Sequence, residues 1–144
     1  MIRYADSSFL VSCYVTDAHT PQAKAYLHKT GAPLIFTAFH ALEVQNAFKL
    51  GVFRGLFPAT AATAAWTNLE ADLRSGRLVR KAVKWPVTLR IARRFSERYS
   101  STFGTRSLDI LHVAAAKAVR TVEFVSFDAR QRTLATAVGL KVAP

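Results

Sequence analysis

The sequence predicts an α/β domain built on a central parallel sheet of four to five short strands with helices on both faces. Three observations carry this. Short apolar runs rich in β-branched and aromatic residues alternate with longer helical stretches along the whole chain. Pro and Gly stand where helices would start and stop. No repeat, low-complexity tract or linker interrupts the 144 residues, so a single domain over 1–144 is expected.

In order, Ile2 to Ala5 reads as a short strand, followed by helices over about Ser8–Thr16 and Pro21–Lys29. "PLIFTA" (Pro33 to Ala38) is a second strand, and "AFHALEVQNAFKLG" a helix that Gly51 is expected to end. Pro58 opens a helix in the favoured first turn and Gly76 closes it. "RLVRKAV" (Arg77 to Val83) is a strand candidate, and Pro86 opens a long basic helix toward Ser101. Ser107 is expected to cap "LDILHVAAAKAV". Val122–Phe127 is a strand, Asp128–Val138 a helix and Leu140–Val142 a last strand.

Twenty Lys and Arg against nine acids give a net charge of +11. Such a balance suits a partner with a phosphate backbone or an anionic surface. No stretch is long and apolar enough to span a bilayer, and no secretory signal pattern opens the chain. Cys13 is the only cysteine, so an internal disulfide is excluded and a cytoplasmic setting is expected. The four histidines have no zinc-type spacing. They are expected to be structural, with His112 close enough to Asp109 on its helix to touch a site there.

The acids are placed in a telling way. In parallel sheets, functional groups gather beyond the carboxyl ends of the strands. Asp6 and Asp128 each end an apolar run there. Glu43 sits inside an apolar helix between Leu42 and Val44, and Asp109 in the first turn of its helix. Each has a plain structural explanation. Asp6 and Asp128 can cap helices, with Gln131 completing a capping box for Asp128; Asp109 can answer a helix dipole and Glu43 can pair with a base. Taken together, four of the nine acids can converge on one sheet edge, while Asp17, Glu70, Asp72, Glu97 and Glu123 read as lying in polar surroundings. Clustered carboxylates raise one another's pKa unless a cation is present, and hard oxygen ligands select Mg²⁺ or Mn²⁺.

At these residues the chain resembles the PIN-domain ribonucleases, specifically the VapC-type toxins of toxin–antitoxin pairs. The resemblance lies in "YADSS", "ALEVQNA", "RSLDILHVAAA" and "FVSFD", in that order and over nearly the whole chain. It implies a single PIN-like domain and Mg²⁺ or Mn²⁺ held by Asp6, Glu43, Asp109 and Asp128, with Ser126 supporting the site. It also implies an RNA substrate, a cognate antitoxin protein and a homodimer, with hydrolysis leaving a 5′-phosphate and a 3′-hydroxyl. From Arg74 to Arg98 stand nine bases and one acid. Arg74, Arg77, Arg80, Lys81, Lys84, Arg90, Arg93 and Arg94 are the expected RNA contacts, with Trp85 and Tyr99 interleaved for base stacking. Phe39, Phe48, Phe53 and Phe57 hint at a dimer or antitoxin groove beside the third helix. A HAD-type phosphatase would need a second Asp where Ser8 stands. A basic RNA-binding module without catalysis, or a PIN nuclease without an antitoxin, are the competing expectations.

Overall fold

The computed structural model describes residues 2–144. Its elements follow the expected alternation: β1 (Tyr4–Ala5), α1 (Ser7–Tyr14), α2 (Thr20–Thr30), β2 (Leu34–Phe36), α3 (Ala38–Phe53), α4 (Ala59–Ser75), β3 (Leu78–Arg80), α5 (Trp85–Phe95), a π-helical turn (Ser96–Ser100), α6 (Ser101–Phe103), α7 (Ser107–Ala118), β4 (Glu123–Val125), α8 (Ala129–Ala137) and β5 (Lys141–Ala143). All strand pairs are parallel. β1, β4 and β5 form one sheet in the order β1-β4-β5, and β2 pairs with β3 in a second. One residue joins the two. Arg3 bridges Leu34, its carbonyl accepting from Ile35 N (2.8 Å) and its amide donating to Pro33 O (3.2 Å).

Alternate strand residues feed two cores, as a period of two demands. Ala5, Leu34, Phe36 and Val125 face α1 to α4, while Tyr4, Ile35 and Phe124 face α7 and α8. Helices therefore cover both faces of the sheet. No described helix is long and apolar enough to cross a membrane.

Several local expectations are corrected. Gly51 does not end α3, which runs on to Phe53. It is buried inside the helix because the Phe57 ring packs against its Cα, where a Cβ would lie 2.1 Å from Phe57 Cζ. Ser107 is the first residue of α7 and not its cap; Arg106 holds the cap position without a side-chain bond. The long basic helix is broken after Phe95 by the π-helical turn. The turn keeps Phe95, Tyr99 and Phe103 in one row against the core, with Tyr99 stacked on Phe103 at 5.3 Å. Tyr99 is thus a packing residue. Glu123 is buried, accepting from Tyr26 Oη (2.6 Å) and paired with Arg3 and Lys141. Its cation partners, Arg3 just before β1 and Lys141 in β5, are distant in sequence.

Candidate active site

Asp6 and Asp128 follow β1 and β4, two paired parallel strands, so both emerge at the same sheet edge. Each caps the next helix. Asp6 Oδ1 accepts from Phe9 N and Asp128 Oδ1 from Gln131 N, both at 2.8 Å. Ser126, fully buried, ties the two together: its Oγ donates to Asp6 Oδ2 (2.6 Å) and accepts from Asp128 N (3.0 Å).

Asp109 joins through Gln131. The expected capping box does not close on the Asp128 backbone, because the buried Gln131 side chain turns across to donate to Asp109 Oδ1 (3.1 Å). The other Asp109 oxygen accepts from Arg106 Nε at 3.2 Å, and the Arg106 side chain is otherwise exposed. Glu43 joins from α3. Its Oε1 accepts from Ser7 Oγ (2.8 Å) and meets His112 Nε2 at 2.5 Å. His112 Nδ1 lies 3.0 Å from the buried Tyr4 hydroxyl. Nε2 carries the proton that meets Glu43 Oε1, and Nδ1 faces the Tyr4 hydroxyl. His112 thus belongs to the site and couples Glu43 to the sheet. Hydrogen bonds through Ser126 and Gln131 tie Asp6, Asp128 and Asp109 into one string, and Ser7, next to Asp6, ties in Glu43.

The electrostatics differ between the acids. Burial raises the Asp6 pKa, against the opposing pull of Ser126, the Phe9 amide and His112. At Glu43 burial also pushes upward, but the hydrogen bond and charge of His112 and the bond from Ser7 outweigh it and hold the carboxyl below its usual range. Oε1 of Glu43 and Oδ1 of Asp128 are occupied by protein donors, leaving the second oxygen of each for a ligand. Carboxylate oxygens are the kind of ligand a hard divalent cation takes, and at Asp6 the carboxylate is buried. Among the described residues, no three His, Cys, Asp or Glu side chains are grouped closely enough to hold a metal ion.

Residues missed from the sequence are Ser7, Arg106, His40 and Gln131 in its bridging role. His40 is buried beneath the site: its Nδ1 accepts from Thr37 N (3.0 Å) and its Nε2 donates to Ala5 O (2.8 Å), the carbonyl just before Asp6. The signal was the Thr37-x-x-His40 spacing, which places His40 where a capping box has Glu or Gln. Of the expected RNA contacts, Arg80, Lys81 and Lys84 are exposed at or beyond the carboxyl end of β3, with Lys81 N bonded to Phe36 O. Arg90, Arg93 and Arg94 are exposed on α5. Arg74 and Arg77 precede β3 and so lie at the opposite sheet edge, with Arg77 paired to Asp72.

Two solved structures share this architecture from end to end. VapC20 of Mycobacterium tuberculosis, described as a Sarcin-Ricin loop cleaving toxin, matches with a TM-score of 0.67 at 19% identity, over 99% of this chain and 99% of that chain. FitAcB from Neisseria gonorrhoeae matches at 0.62 and 16% identity, over 100% of this chain and 97% of that chain. The fold is the PIN fold of these neighbours. No family model matches the sequence, and no curated protein matches it significantly. The PIN architecture is therefore carried by structure at low identity, and the acids sit at the sheet edge where parallel α/β folds place their ligands.

Proposed function

We propose that this chain is a divalent-metal-dependent endoribonuclease and the toxin of a toxin–antitoxin pair. The observation that carries the reading is the hydrogen-bonded string that brings Asp6, Asp109 and Asp128 to one edge of a PIN fold, with Glu43 tied in beside Asp6. Asp6, Glu43 and Asp109 would hold Mg²⁺ or Mn²⁺, with Asp128 completing the set or orienting the attacking water. The cation supplies an activated water and neutralises charge on the reacting phosphate. Ser126 fixes Asp6 relative to Asp128, Gln131 fixes Asp128 relative to Asp109, and His112 turns Glu43 so that one oxygen stays available.

Arg80, Lys81, Lys84, Arg90, Arg93 and Arg94 would carry the RNA backbone toward this edge. Water attacks in line, leaving a 5′-phosphate and a 3′-hydroxyl; a 2′,3′-cyclic phosphate product would sink the mechanism. A cognate antitoxin and a second copy of the chain complete the proposed partners. Leu42, Phe53 and Leu56, at 69%, 86% and 71% exposure around α3, offer the apolar surface for one of them.

A basic module without catalysis is the competing reading, favoured by the capping roles of Asp6 and Asp128. Calorimetric Mn²⁺ titration of wild type, Asp6→Ala and Asp109→Asn separates the two, with circular dichroism confirming that each variant folds. Binding by wild type that both variants lose is the expected outcome. A folded wild type that binds no Mn²⁺ even at millimolar concentration would overturn it.

A further inference from the structure

Beside the acids the rim carries two aromatic rings that neither core absorbs. Phe39 stands one helical turn before Glu43 on α3, its ring 4.5 Å from His112, the residue bonded to Glu43. Trp85, the first residue of α5, meets Phe39 edge to face at 6.0 Å and 84°. Both rings are only partly buried, and the loop leading into Trp85 carries exposed Lys81 and Lys84. A perpendicular pair covers at most one face of each ring. Among the described residues, Phe39 is the one aromatic ring that meets Trp85, and the indole stays partly exposed.

Partly exposed aromatic rings beside cations, next to a set of carboxylates, suit one ligand class. An unpaired nucleobase stacks on the ring while its phosphates meet the lysines. A duplex keeps its bases stacked on one another and presents none. We propose that Phe39 and Trp85 form a stacking subsite for an unpaired RNA base adjacent to the scissile phosphate. This deepens the nuclease reading and rests on it.

The test uses the intact chain in chelator-containing buffer, where no cleavage occurs. Trp66→Phe leaves Trp85 as the sole indole, since the chain has two. Titration with a short oligouridylate should give a saturable change in Trp85 emission, and a duplex of equal length should not. Trp85→Leu should weaken oligouridylate binding about tenfold, and Trp85→Phe should restore most of it. Should Trp85→Leu fail to fold, Phe39→Leu reads the same stack. Oligouridylate binding with unchanged emission and undiminished affinity in the Leu variants would overturn the subsite and leave the nuclease reading standing. Binding of no RNA at all would overturn both.

Discussion

His40 supports the site from below through both ring nitrogens. Thr37 N donates to Nδ1 and Nε2 donates to the Ala5 carbonyl, so the ring must be neutral with its proton on Nε2. A protonated ring would set one N–H against another inside a core shared with Tyr4 and His112. Burial, with the nearby His112, pushes its pKa from 6.5 down to about 3. The unfolded chain therefore binds a proton between about pH 3 and 6.5 that the folded chain does not. Stability rises with pH across that window and falls as acid is added, by on the order of a few kcal/mol. Thermal melts should show this slope in wild type and a shallower one in His40→Gln; equal slopes would assign it to other groups. At this scale the sequence showed the acids and hid what holds them. Asp6 and Asp128 stood out because a β-branched run stopped at a carboxylate. Gln131 was read as a capping partner because the D-x-x-Q spacing is the same whether its side chain turns back to the backbone or across to Asp109.

At the scale of elements, Gly51 has the clearest consequence. It lets Phe57 lie against α3, so Gly51→Ala should cost about 1–3 kcal/mol by displacing that ring. In a Phe57→Ala background the same change should stabilise, because Ala favours a helix interior over Gly by about 1 kcal/mol. Denaturant titration of the four proteins reads the sign, and a penalty that survived without Phe57 would refute the packing account. The alternation of elements was legible because proline and glycine punctuate it. The misreadings share a cause: a glycine that ends a helix and one that admits a ring look alike in one dimension. So do a straight basic helix and one re-phased by a π-helical turn to keep Phe95, Tyr99 and Phe103 inward. Glu123 was misread because its cations, Arg3 and Lys141, come from the ends of the chain.

At the scale of the whole molecule, the parallel sheet sorts the positive charge between two edges. Arg80, Lys81 and Lys84 share the edge of the acids, whereas Arg74 and Arg77 lie at the other. Lys81→Ala and Lys84→Ala should each weaken RNA binding and reduce the salt slope by about one, while Arg74→Ala and Arg77→Ala should do neither. Fluorescence anisotropy across a salt series measures this, and equal losses at both edges would mean that net charge alone draws the RNA. The single-residue join at Arg3 has its own consequence. Asp6 and Asp128 hang from the three-stranded half of the sheet, and Glu43 follows the two-stranded half. A cation shared among them would act as a further clasp between halves whose strands meet, among the described residues, in the backbone bonds of Arg3. The Ile35 amide, which donates to Arg3 O across that join, should then exchange with deuterium more slowly once Mg²⁺ is added. An exchange rate indifferent to Mg²⁺ would mean that the acids bind on one side of the stitch only.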